Sequence, residues 1–239
     1  MKKSINIKIL NTKSYFSNLG QILKLITVTP DKSELMGARD LSQSIIQDLM
    51  KTDLLTVVGY GSGVSLAIAA VDVSKNIANV NIQSVSLDYI PLTSTYAPEA
   101  IFIELSKQPT NPSPLINEFE TQQSEKLLAK TVAVRREDRV EGITNQILWR
   151  LNKFDTIKVM ASGFAIMTAI RSTLQVTTSG ITKEQVGITA ITIESVERRS
   201  QMESAAPKKI PAIQIFLEKG KQTEYPPDHK ETIEKVTAR

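Results

Sequence analysis

The sequence predicts an α+β fold of two tandem β-α-β-α-β-β domains packed as an internal pseudo-dimer. One stretch, 156–170 (TIKVMASGFAIMTAI), has a rougher copy at 55–69 (LTVVGYGSGVSLAIA). In each copy a β-branched run meets a glycine turn and then a helix-like segment with small and apolar residues on one face. A second match links the end of each copy, where alternating apolar residues read AIFIELSK and AIQIFLEK. Self-similarity at this spacing indicates one fold encoded twice.

The first copy contains each element of this order. Strands are predicted from apolar alternation or β-branched runs, and helices from apolar residues recurring at three and four positions. The predicted elements are a strand at 25–29, a helix carrying Leu35 to Leu49, a strand at 54–58, a helix at 62–76, and two strands within 79–90 and 100–107.

The second copy repeats the order at nearly constant offset. Its elements are a strand at 131–135, a helix from Val140 to Leu151, a strand at 156–160, a helix at 164–177, and two strands at 187–197 and 212–219. The domains are therefore placed at 1–107 (weakly charged, with an N-terminal extension) and 130–219. A proline-containing linker, 108–129, joins them, and a charged tail that we expect to be loosely held covers 220–239.

The amino-acid composition argues against several classes of function. The 239 residues include no cysteine and a single histidine, His229, in the polar tail. Thiolate catalysis, cysteine-based metal sites and a serine–histidine triad are thus not expected. No apolar run approaches the roughly 20 residues that span a bilayer. We expect an intracellular, cytoplasmic protein with no membrane partner, no enzymatic activity and no cofactor.

Residues of the second copy resemble the Alba family, small chromatin-associated DNA- and RNA-binding modules common in archaea. The resemblance covers roughly 130–219 and follows the family pattern I-x-V-x-A-x-G-x-A-I-x-x-A-V; the first copy matches more weakly. The matching residues are Ile157, Val159, Ala161, Gly163, Ala165, Ile166, Ala169 and Ile170. The chain departs from the family at Ser162 and Phe164, where arginines usually flank the turn glycine, and at Arg136, near the position of a lysine that some members acetylate.

Basic residues concentrate in the second copy. Residues 1–107 hold 10 Lys+Arg and 9 Asp+Glu, whereas residues 130–219 hold 14 and 9, including seven of the nine arginines. Arginine suits phosphate recognition, so this local excess is more informative than the net charge of +4. In the family, the hairpin between the last two strands reaches along nucleic acid, which implies a basic arm here. The predicted nucleic-acid-binding residues are Arg135, Arg136, Arg139, Arg198, Arg199, Lys208 and Lys209.

The resemblance and the charge together predict binding of DNA or RNA with low sequence specificity, in a nucleoid-associated location. Glu137 and Asp138 offer the alternative that Arg135 and Arg136 are ordinary paired surface residues. Phe164 either stacks on a base or packs in the core, and Trp149 is expected to be buried among Ile147, Leu148 and Leu151.

Two other function classes stay open. The near-neutral first copy suits a protein–protein scaffold. The turn GYGSG (59–63) lies between a strand and a helix, as in some nucleotide sites, but Val64 replaces the last glycine of a dinucleotide fingerprint. The structural interpretation is that Gly59, Gly61 and Gly63 permit tight strand-to-helix packing. The sequence leaves open whether whole chains form homodimers, and whether DNA or RNA is bound.

Overall fold

The computed structural model describes residues 24–29, 37–78, 80–93, 97–107, 129–178, 185–198, 208–223 and 233. The predicted N-terminal extension, most of the linker, and His229 lie outside these residues. The described part is α+β, with two four-stranded sheets and four helices of eight residues or more.

The first sheet and its helices follow the predicted order. The elements are β1 (Lys24–Val28), α1 (Ala38–Leu49), β2 (Leu54–Tyr60), α2 (Gly63–Ile77), β3 (Asn81–Tyr89) and β4 (Glu99–Ser106). The strands lie in the order β1-β2-β4-β3, with β1 and β2 parallel and the other pairs antiparallel.

The second sheet repeats this arrangement. Its elements are β5 (Thr131–Val134), α3 (Val140–Leu151), β6 (Thr156–Ser162), α4 (Ala165–Thr178), β7 (Val186–Arg198) and β8 (Lys208–Lys219). The strand order is β5-β6-β8-β7, again with the first pair parallel. The predicted β-α-β-α-β-β order is confirmed in both halves.

Strand register shows how closely the halves correspond. Val57 pairs with Ile103 in the first sheet, and Val159 pairs with Ile215 in the second. Each third strand also carries a register irregularity at the matching place, between Ile82 and Ser84 and between Ile188 and Ala190. Because a one-residue slip would turn every side chain to the opposite face, this agreement means that both halves bury the same positions.

The helices bury one apolar stripe each. Ile143, Ile147 and Leu151 of α3 recur at four-residue spacing and are buried, as that spacing predicts for one face of a helix. In α2 and α4 the repeated small and apolar positions are all buried. These are Gly63, Val64, Ala67 and Ile68 in α2, and Ala165, Ile166, Ala169 and Ile170 in α4.

The two halves pack against each other reciprocally. Helix α2 contacts β7 and β8 of the second sheet, and α4 contacts β3 and β4 of the first. The Ser65 hydroxyl donates a hydrogen bond to the Gly163 carbonyl at 3.4 Å, and Arg171 pairs with Glu99 at 3.0 Å. The second helix of each half therefore covers the last two strands of the other.

One residue of the predicted tail returns to the first half. Ile233 packs against a small apolar cluster that contains Leu25, Val58 and Phe102. The expectation of a loosely held tail stays a prediction, because the other residues from 224 to 239 lie outside the described part of the chain. Within the described residues, no helix is long and apolar enough to cross a membrane.

Candidate nucleic-acid interface

The parallel pairing of β5 and β6 brings two loops to one sheet edge. Val134 and Ala161, which lie at the carboxyl ends of these strands, are partners in the ladder. The loop that begins with Arg135 and Arg136 therefore starts beside the turn formed by Gly163 and Phe164. Residues 28 positions apart in sequence become neighbours because parallel strands end on the same side of a sheet.

Arg136 and Phe164 are in direct contact at this edge. The guanidinium carbon Cζ of Arg136 lies 4.9 Å from the centroid of the Phe164 ring, a cation–π distance. Phe164 is 80% exposed, and Arg136 is exposed as well. Of the two interpretations of Phe164, core packing is wrong, because the residue after the glycine turn points away from the buried face of α4.

A short turn orders the rest of the arginine loop. The Arg135 amide donates to Oδ2 of Asp138 at 2.7 Å, and the Asp138 amide donates to the Arg135 carbonyl at 3.2 Å. Arg139 follows in extended backbone, immediately before the first turn of α3. The Asp138 carboxylate is therefore engaged by the backbone of Arg135.

The guanidinium groups of this loop are available for a ligand. Arg135, Arg136 and Arg139 are all exposed, and within the described ranges none of them forms a salt bridge. Among the described residues, neither Glu137 nor Asp138 forms a salt bridge with Arg135 or Arg136. Three cationic side chains, clustered by backbone geometry, face solvent at one edge of the second sheet.

The β7–β8 hairpin extends beyond the same edge. Strand β6 ends where Ser162 pairs with Ala212, but the pairing of β7 with β8 continues to Arg198 opposite Lys208. Four further residues per strand project past β6, which is about 13 Å at the usual rise per residue. Lys209 lies exposed on this extension, opposite Glu197.

Not all of the predicted arm can be placed. Arg198 is the last residue of β7, and Lys208 is the first residue of β8. Arg199 lies outside the described residues. The predicted residues that the structure brings to one edge are therefore Arg135, Arg136 and Arg139 in one loop, with Arg198, Lys208 and Lys209 on the hairpin.

Among the described residues, the first half does not repeat these features at its equivalent edge. Ser62 follows the turn glycine Gly61, at the position that Phe164 occupies after Gly163. In the sequence Thr29 and Pro30 stand where Arg135 and Arg136 stand. The pairing of β3 with β4 extends just one residue pair, Tyr89 with Glu99, beyond the end of β2.

The glycines of the GYGSG turn are explained by packing and turn geometry. A Cβ on Gly63 would lie 2.2 Å from the Val28 carbonyl oxygen, and one on Gly59 would lie 2.8 Å from Cβ of Ala67. Gly61 has φ 54°, in the left-handed region that favours glycine. The structural interpretation of this turn is confirmed. Gly163 shares the left-handed conformation, at φ 56°, but has open space around it.

Trp149 is not buried as expected. It is 54% exposed on α3, because it lies about 200° around the helix from the buried Ile147 at 100° per residue. Lys153 Nζ lies 3.7 Å from the Trp149 ring centroid, and Arg150 Cζ lies 5.8 Å from it. This aromatic residue lies near the end of α3, whereas the arginine loop precedes the start of that helix.

Neither comparison with known proteins nor a search for metal-ligating side chains points to a second site among the described residues. Compared with known protein families and with curated proteins, the chain matches no family model and no curated sequence. Within the described ranges, no three His, Asp or Glu side chains are grouped closely enough to hold a metal ion.

Proposed function

We propose that the chain is an Alba-like nucleic-acid-binding protein of low sequence specificity. It contacts the phosphate backbone through the edge and the β-hairpin arm of its second half. The observation that carries the proposal is the exposed cluster of Arg135, Arg136 and Arg139 beside a hairpin that projects from the same edge. Guanidinium groups without carboxylate partners are suited to phosphate oxygens.

The difference between the two edges supports different roles for the two halves. The two β-α-β-α-β-β units form an internal pseudo-dimer through reciprocal helix-to-strand packing. The first half, whose described edge carries no arginine cluster and whose hairpin is short, has a mainly architectural role. The second half supplies the binding edge. DNA and RNA are both candidates, and the binding is electrostatic in either case.

Fluorescence anisotropy of duplex DNA and RNA across a salt series tests the proposal. We expect a steep linear fall of log K with log salt concentration, with a slope of about −0.9 for each phosphate neutralised. Replacing Arg135, Arg136 or Arg139 individually by alanine should reduce that slope by about one unit each. Lys51→Ala is the matched control, because Lys51 is an exposed cation of the first half.

Charge reversal on the arm is a second test of the same site. Arg198→Glu combined with Arg199→Glu should weaken binding without lowering the melting temperature. A wild-type chain that fails to bind even at low salt would contradict the proposal and favour the protein–protein scaffold. Co-purification of a stoichiometric protein partner without nucleic acid would identify that alternative directly.

A further inference from the structure

Phe164 is the most exposed large apolar side chain among the described residues. At 80% it exceeds Met50, Ile77 and Trp149, and it lies within the arginine cluster. An aromatic ring left in water contributes nothing to the core, so folding does not account for it. A ring beside guanidinium groups that form no salt bridge with any described residue is chemically suited to a ligand that is both anionic and planar.

The backbone holds this ring in a defined place. The Gly163 amide donates to the Pro211 carbonyl at 2.8 Å, and the Gly163 carbonyl accepts from Ser65 Oγ at 3.4 Å. Directly after Phe164, Ala165 and Ile166 are buried. The backbone of Phe164 is therefore held between a hydrogen-bonded turn and a packed helix, which places its ring at the exposed end of α4.

Arg136 completes the platform. Its guanidinium lies 4.9 Å from the ring centroid, and the ring remains 80% exposed with this contact in place. A nucleobase stacked on the ring would thus lie beside the Arg136 guanidinium. Two further arginines of the protein, one before and one after Arg136, would be near enough in sequence to contact its phosphates. Arg135 and Arg139 are within the same loop.

Duplex and single-stranded nucleic acids would use this arrangement differently. In a duplex the bases are already stacked on one another, so the phosphates alone reach the edge. In a single strand the bases are free to stack on aromatic side chains, and every base has a face to offer. The contribution of Phe164 is therefore specific to unpaired nucleotides.

We propose that the preferred ligand is single-stranded DNA or RNA, with one unpaired base stacked on Phe164 beside Arg136. The proposal rests on the proposed function and specifies its substrate class. The phosphates on both sides of that base lie against Arg135 and Arg139. Lys209 on the hairpin offers a contact to a further phosphate of the same strand. Recognition by stacking tolerates any sequence, in keeping with low specificity.

Anisotropy of a short labelled single strand and of its matched duplex tests the proposal. Phe164→Ala should weaken single-strand binding about 5- to 160-fold, the range of one lost base–aromatic stack. Duplex binding, which depends on phosphate contacts, should change by less than about two-fold. Phe164→Tyr should restore single-strand binding. A strand carrying 2-aminopurine should report stacking through fluorescence quenching that Phe164→Ala removes.

Trp149→Ala is the matched control, since Trp149 is also an exposed ring with cations beside it but lies near the other end of α3. An equal loss in this control would overturn the proposal, as would unchanged single-strand binding in Phe164→Ala. Equal weakening of duplex and single strand would overturn it too. Altered self-association with intact strand binding would make Phe164 a protein-docking residue.

The experiments distinguish a wrong stacking site at Phe164 from a wrong proposal of nucleic-acid binding. If the wild-type chain binds duplex with a steep salt dependence and Phe164→Ala changes nothing, the phosphate-binding edge stands and the stacking site is refuted. If wild type binds neither ligand at low salt, both proposals are refuted together.

Discussion

Arg171 of α4 and Glu99 of β4 form a salt bridge between the two halves of the chain, with Nε 3.0 Å from Oε2. Glu99 begins β4 at the edge of the first half where β2 ends, since Tyr60 pairs with Ala100. Arg171 lies in the same helix as the buried residues that follow the Phe164 turn. The pair therefore joins the helix that packs across the halves to a strand of the first sheet.

This salt bridge should make a small, measurable contribution to stability. Arg171 is about half exposed and Glu99 is 16% exposed, so solvent screens the attraction. We expect a coupling energy of about 0.2–1 kcal/mol in a double-mutant cycle of Arg171→Ala and Glu99→Gln. Urea unfolding of the four proteins measures it. A coupling energy of zero would mean that this pair adds nothing to the helix-to-strand packing and the Ser65–Gly163 hydrogen bond between the halves.

Gly63→Ala should destabilise the chain because the new Cβ would lie 2.2 Å from the Val28 carbonyl oxygen. Both atoms belong to packed elements, so the free energy of unfolding should fall by about 1–3 kcal/mol, as for other overpacked sites. Gly142→Ala is the control, since nothing lies within 4 Å of its Cβ position in α3. That change should add about 0.5–1 kcal/mol. Equal effects of the two changes would contradict the packing argument.

Tyr89 should make stability depend on alkaline pH. Burial raises the pKa of its phenol above 10.0; the nearby Glu99 and Asp88 carboxylates raise this pKa too, while Thr178 and Arg171 lower it. The folded state thus holds the proton more tightly than the unfolded chain. The corresponding stability is fully present below about pH 10 and is lost as pH rises through the folded pKa.

Comparison with Tyr89→Phe isolates this effect. The free energy of unfolding of wild type should fall more between about pH 9 and pH 11 than that of the variant, which has no phenolic proton to lose. Urea unfolding at the two pH values checks the difference. Parallel curves for the two proteins would show that Tyr89 titrates alike in the folded and unfolded states.

Trp149 should behave as a solvent-exposed, positively flanked fluorophore. It is the single tryptophan of the chain, so its emission reports this position alone. Because Lys153 and Arg150 lie beside the ring, iodide should quench it more efficiently than caesium does. The difference should disappear in high salt or on unfolding. Equal quenching by both ions in the folded state would place the cations elsewhere.

Element order could be predicted because it follows local periodicity. Apolar residues at Ile143, Ile147 and Leu151 mark a buried helix face, and the matching strands of the two halves keep one register. The error at Trp149 came from judging a residue by its sequence neighbours. Its angle around the helix, two positions from Ile147, would have placed it on the exposed face.

Less of the candidate site than of the fold could be predicted from the sequence. The arginines stand out by composition, but the contact between Arg136 and Phe164 depends on β5 lying parallel to β6. No local pattern encodes a contact between two loops. The different roles of Gly63 and Gly163 also depend on tertiary structure, since Val28 crowds the first and nothing crowds the second.

The reciprocal packing of α2 and α4 is formed within a single polypeptide. An interface between separate subunits dissociates on dilution, whereas one within a chain persists at any protein concentration. Two identical subunits would also present two identical edges, and every mutation would appear twice. A tandem chain is free of that constraint, so the arginine cluster of one edge need not be repeated where the first half has Thr29 and Ser62.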